Sequence, residues 1–240
     1  LKDFRSETMC EFAISRRNSR NPDQYMTPEE VLEYPKHPYS VELCAEIAAL
    51  PEGLGEMAIT EKVSLQAIGL LRRCSETIKQ TPTKAQIHSS FAIDMMRLVT
   101  CSRANSLEKT LILACYVFRR ILGDKLQEEQ YPFRSLRRQY GTLVSITRNF
   151  SKTIFNPFDG ARTQDFAIWA VYVFASAPRE YGLPQEEQDE LMQKLFRQFP
   201  QMRCLDVALG VLNKFFFHEA VLGSCKQLWE RQERRISERG

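Results

Sequence analysis

Apolar residues recur at intervals of three and four along most of this chain, the period of an amphipathic helix. Ala67, Leu71, Cys74 and Ile78 form one stripe, and Ile87, Phe91, Met95 and Leu98 a second. Leu107, Leu111, Ala114, Phe118 and Ile121 make a third, opened by Asn105 and Glu108 at capping-box spacing. A fourth runs through Leu136, Tyr140, Leu143, Thr147 and Phe150, behind the basic face RSLRRQY at 134–140. The stretch RTQDFAIWAVYVFASA at 162–177 is apolar nearly all round, which predicts a central helix. No run of residues alternates as a half-buried strand would.

Punctuation between the stripes sets the element boundaries. Thr27, Pro28 and Glu30 mark a helix start in TPEEVLEY at 27–34, which YPKHPY breaks. SVELCAEIAAL at 40–50 reads as the next helix and PEGLGEM at 51–57 as a turn-rich link. Pro157 and Gly160 mark a loop. Pro184 starts a helix with acids early and with Lys194 and Arg197 in its later half, as the helix dipole favours. The last two helices are RCLDVALGVLNKFFF at 203–217 and SCKQLWERQERRISER at 224–239. Leu205, Ala208, Leu209, Leu212, Phe215 and Phe216 form the packing face of the first, and Leu222, Cys225 and Trp229 that of the second. The expectation is an all-α fold: a single multi-helix domain of about eight to ten helices over 27–240, in solenoid-like antiparallel pairs with short links, preceded by a polar N-terminal extension at 1–26.

Composition narrows the class a little further. With 240 residues, 43% hydrophobic and 26% charged, the chain can bury a full core. Its net charge of +3 is spread among acids, and SRRNSR at 15–20 reads as a linker rather than a DNA-reading stripe. The seven cysteines, at 10, 44, 74, 101, 115, 204 and 225, never approach C-x-x-C spacing. They are expected to be reduced, buried thiols of an intracellular protein, and neither a disulfide framework nor a metal site. The longest apolar stretch, 166–177, is too short to span a bilayer. Beginning at leucine, the chain is expected to be a piece of a longer protein.

Enzymatic signatures are missing. The chain contains no H-E-x-x-H, G-x-S-x-G, phosphate-binding G-x-x-x-x-G-K or D-D-x-x-D. Of the three histidines, His37 sits between prolines, His88 near a helix start, and His218 in the last turn of a helix, where the dipole favours it. Cys225 falls on a packing stripe and points to the core, so His218, Glu219 and Cys225 read as part of a terminal helix pair. No catalytic residue and no metal ligand is assigned, and the chain is read as not an enzyme.

ALPEGLGEMAITEKVSLQAIGLLRR at 49–73 resembles a block of the fungal zinc-cluster transcription regulators, with Leu50, Pro51, Gly53, Leu54, Met57, Ala58, Val63 and Ser64 in its places. DFAIWAVYVFASA at 165–177 is similar to the tryptophan helix of that family. CLDVALGVLNKFFFHEAVLGSCKQLWE at 204–230 looks like its closing motif. The three keep the family's order and span about three quarters of the chain.

The resemblance implies an all-helical regulatory domain that follows a DNA-binding module, in which six cysteines hold two zinc ions. None of the cysteines here has that spacing. Zinc is therefore expected only in such a module, which is either separate from these residues or missing, as in members that lack it. No cofactor and no specific DNA binding are expected of this chain. The implied location is the nucleus, shared with the cytoplasm. Its partners would be coregulator proteins or a second copy of the chain, with a small hydrophobic ligand as the sensed signal. Pocket residues would come from the aromatic and methionine-rich faces, namely Phe91, Met95, Met96, Trp169, Phe174 and Phe215, although such residues at helical spacing are ordinarily core. The alternative is a helical protein–protein interaction scaffold without ligand, in which LWERQERRISER at 228–239 could serve as the partner surface.

Overall fold

The computed structural model describes residues 32–79, 90–126, 161–178 and 182–237. Among these residues there are nine α-helices, one 3-10 turn and no strand. All but Leu32 belong to one compact unit, Glu33–Gly240. The fold is all-helical, as the periodicity predicts. Most of the expected helix at 27–34 and all of the stripe at 136–150 lie outside the described residues, as do Ile87, His88 and the loop at 157–160. Residues 32–34 carry no regular structure, so a helix there does not reach Tyr34.

Helix α1 (Val41–Ala48) opens on Ser40, whose hydroxyl accepts the Leu43 N–H at 3.2 Å. Helix α2 (Glu52–Thr60) occupies the stretch whose proline and two glycines predicted a link. Tertiary contact overrides local propensity here. The Gly53 N–H, an orphan donor of the first turn, reaches the Lys214 carbonyl at 2.7 Å. A Cβ on Gly53 would stand 2.7 Å from Cζ of Phe215. This glycine therefore serves close helix packing rather than a turn.

Helix α3 (Leu65–Lys79) buries Ala67, Leu71 and Cys74, with Ile78 at the half-buried edge. Helix α4 (Ser90–Thr100) buries Met95 and Leu98. Helix α5 (Ser106–Leu126) buries Leu111, Ala114, Phe118 and Ile121, together with Ile112, Leu113 and Cys115 on adjoining sides. Helix α6 (Ala161–Ser176) is buried without a break from Phe166 to Ala175. Such a helix needs neighbours on every side. It packs on α5, on α2, and on three helices that follow it: α7 (Gln185–Gln198), α8 (Leu205–Leu212) and α9 (Glu219–Ser237). Some pairs adjacent in sequence pack together (α1 on α2, α3 on α4, α4 on α5, α6 on α7), and helices distant in sequence also close over α6.

The C-terminal boundaries differ from the expected ones. Helix α8 ends at Leu212, and α9 starts at Glu219 rather than at Ser224. Three consecutive phenylalanines cannot all face one side of a helix. The chain turns at 213–218, and this puts both Phe215 and Phe216 inside. The buried face of α9 is Val221, Cys225, Leu228 and Gln232, one position round from the predicted stripe, and it leaves Leu222 and Trp229 half-buried. Leu205 and Leu209 are likewise at the edge.

Candidate functional site

Trp169 lies at the centre of α6 and of an aromatic cluster. Its ring stacks on Phe215 with centroids 5.4 Å apart and planes 20° apart, and tilts against Phe166 at 6.0 Å and Phe118 at 6.3 Å. Phe118 stacks in turn on Phe216 at 6.2 Å. Trp169 Nε1 donates to the Phe216 carbonyl at 3.0 Å, which satisfies the one polar atom of the indole inside the core. Gly53 of α2 lies against the Phe215 ring at Cζ and Cε1. The segments 49–73, 165–177 and 204–230, far apart in sequence, thus meet at one point.

Beside Trp169 lies a small void bounded by Phe118, Tyr172, Phe216, Val221 and Cys225. It has room for about one water molecule, far below the several hundred Å³ of a metabolite pocket. Of the six residues expected to line a pocket, Trp169 and Phe215 come together. Phe174 and Met95 are fully buried and do not border this void. The side chains of Phe91 and Met96 lie outside the described residues. Burial pushes the Tyr172 phenol well above its usual range, with Cys225 adding to it, and its hydroxyl donates to the Met202 carbonyl at 3.5 Å.

Two buried carboxylates form polar nodes elsewhere. Asp189 on α7 is 1% exposed. Its Oδ1 accepts from Arg231 Nε at 2.9 Å and Gln232 Nε2 at 2.6 Å, while the Arg235 guanidinium lies 2.8 Å from Oδ2 as an ion pair. One carboxylate thereby fixes the second half of α9. Glu108 is 0% exposed. Asn105 caps α5 as the spacing predicts, accepting the Glu108 N–H at 2.8 Å, but the Glu108 side chain does not close a capping box. It crosses to Ser64, the cap of α3, and accepts both the backbone N–H (3.0 Å) and the hydroxyl. Tyr34 Oη donates to its other oxygen at 3.3 Å. Burial, then the charge of Glu108, raise the Tyr34 phenol.

His218 does not end a helix. It begins α9: its Nδ1 accepts the Ala220 N–H at 3.1 Å and its carbonyl accepts the Val221 N–H at 2.9 Å. Cys225 lies 3.8 Å from the Ser176 hydroxyl, and burial pushes its thiol up to about 11. The six described cysteines are free thiols. Cys74, Cys115 and Cys225 are buried, but Cys44 and Cys204 are exposed, contrary to the expectation of buried thiols, because they fall on the outer face of α1 and at the start of α8. Among the described residues no cluster of His, Cys, Asp or Glu could hold a metal ion, and no helix is long and apolar enough to cross a membrane. Comparison of the chain with protein-family models, with curated proteins and with solved structures finds no match.

Proposed function

We propose that this chain is the all-helical regulatory domain of a fungal zinc-cluster transcription regulator, nuclear at least part of the time, and that it acts through contacts with coregulator proteins. The observation that supports this reading is the meeting at Trp169 of the three segments that resemble the family. Gly53 of the first touches Phe215 of the third, and Trp169 of the second stacks on that ring and donates to the next residue's carbonyl. Residues that a resemblance picks out independently along the chain here do one joint job of packing. The filled space around Trp169 favours protein contact over a ligand sensed at this point, since a ligand shifts an equilibrium only through unequal affinity for two states and there is no room for one here. Both buried carboxylates are spent on joining helices, which fits a non-enzymatic role.

The test is a fusion of the chain to an unrelated DNA-binding module with a reporter gene. The fusion is expected to raise or lower output relative to the module alone. A folded, expressed fusion without effect would overturn the transcriptional reading and leave the interaction scaffold. Native mass spectrometry of the purified chain is expected to give the apo mass, and a retained small molecule would move the mode of action to ligand sensing.

A further inference from the structure

Residues 33–40 cross the N-terminal ends of α3 and α5 in extended, irregular form before α1 begins. Hydrogen bonds tie them down at several points. The Glu33 carbonyl accepts the Leu65 N–H at 2.7 Å, and its own N–H donates to Gln66 Oε1 at 3.2 Å. Tyr34 Oη donates to Glu108, the Lys62 ammonium stands 4.8 Å over the Tyr34 ring, and Tyr39 Oη donates to the Ile59 carbonyl at 3.1 Å. No residue of the segment is fully buried. A segment with few buried apolar contacts opens at lower free energy than the core it lies on.

The node beneath does not need the segment in order to hold. Glu108 keeps the Ser64 N–H and hydroxyl, and it sits at the positive ends of two helices, which stabilise its charge. Asn105 still caps α5, and its Nδ2 still ties the Lys62 carbonyl at 2.7 Å. With Tyr34 gone, the freed carboxylate oxygen turns to water. The segment can therefore leave while both helices stay capped, as a two-state element requires.

We propose that residues 33–40 are a releasable strap, latched by Tyr34 on Glu108, which opens while the helices beneath stay folded and so uncovers the N-terminal ends of α3 and α5. The inference stands on these contacts alone and is independent of the transcriptional reading.

Amide hydrogen exchange of the full chain, followed by NMR, tests it. The Leu65 N–H is the reporter, since its partner is the strap carbonyl of Glu33, whereas the Ile68 N–H bonds within the helix start, to Ser64, at 3.0 Å. In the wild type Leu65 is expected to exchange much faster than Ile68. Tyr34→Phe is expected to speed Leu65 about tenfold, in line with the loss of a hydrogen bond to a charged group. Ile68 and the amides of α6 should stay within about twofold. Three results would each overturn the strap: Leu65 and Ile68 exchanging together in the wild type, Leu65 unmoved by Tyr34→Phe, or all amides rising in step in the variant.

Discussion

Asp189 stands in the run QEEQDEL, where a reader of the sequence sees a solvated acidic helix face, yet it is among the least exposed charged residues of the described structure. Its partners lie some forty residues on, and the trace they leave is two arginines one helical turn apart with a glutamine between, Arg231, Gln232 and Arg235. A pairing at that separation is a tertiary fact that no local pattern encodes. Breaking it should be asymmetric. Asp189→Ala leaves two guanidiniums that are 30% and 39% exposed and can rehydrate, so a loss of about 1–3 kcal/mol is expected. The double change Arg231→Ala with Arg235→Ala strands a buried carboxylate and should cost about 3–5 kcal/mol. Urea titration measures both, and the reverse order would refute the desolvation argument. The thiols make a second residue-level prediction. Burial raises Cys74 to about 12 and Cys225 to about 11, and raises Cys115 as well, so at pH 8 these three hold almost no thiolate. A thiol reagent on the native chain is expected to label Cys44 and Cys204 quickly, and the three buried cysteines only with denaturant.

Among the elements, the long periodic helices were legible: the stripes of α3 and α5 are buried where the spacing puts them, save the half-buried end positions Ile78 and Leu107, and α6 is buried from Phe166 to Ala175. Shorter ones were not. Helix α2 hides behind Pro51, Gly53 and Gly55, which say turn to any local rule; Gly53 is explained by a ring and a carbonyl contributed from 214–215, and Gly55 by the close approach of the Ile47 carbonyl. The junction of α8 and α9 was misplaced because periodicity continues through Phe215 and Phe216, although the backbone does not. For the same reason the candidate site was half legible. Trp169 and Phe215 were named from the sequence, while Phe118 and Phe166 looked like any other stripe positions and joined the cluster only in three dimensions. Glycine substitution separates the two kinds of helical glycine. Gly53→Ala forces a Cβ to within 3.0 Å of both Phe215 and the Lys214 carbonyl and is expected to destabilise by about 1–3 kcal/mol. Gly69→Ala in α3 meets nothing within 4 Å and should stabilise by about 0.5–1 kcal/mol. Thermal melts of the pair check the signs, and equal shifts would show that Gly53 is not a packing glycine.

For the molecule as a whole, α6 is the axis and α9 part of its cover. Helix α9 contributes Val221, Cys225 and Leu228 to the shared interior with α5, α6 and α7, besides its ties to Asp189. Fully burying Val221 and Leu228 is worth roughly 1.5–3 kcal/mol each, so their loss alone is comparable with the low end of a typical domain's stability, about 5–15 kcal/mol. A chain ended before Glu219 is expected to lose its cooperative unfolding transition and to bind a hydrophobic dye. Calorimetry giving a sharp transition near that of the full chain would show that α9 is dispensable.

The bond from Gly53 to the Lys214 carbonyl also has a consequence for biosynthesis. A ribosome makes α2 well before its partner, with the apolar stretch of α6 from Phe166 to Ala175 emerging between them before α8 and α9 exist to cover it. Completion of the native core must therefore wait until translation has passed residue 214 and most of α9. Until then the nascent chain carries sticky, uncovered surface, the condition under which holding chaperones are needed.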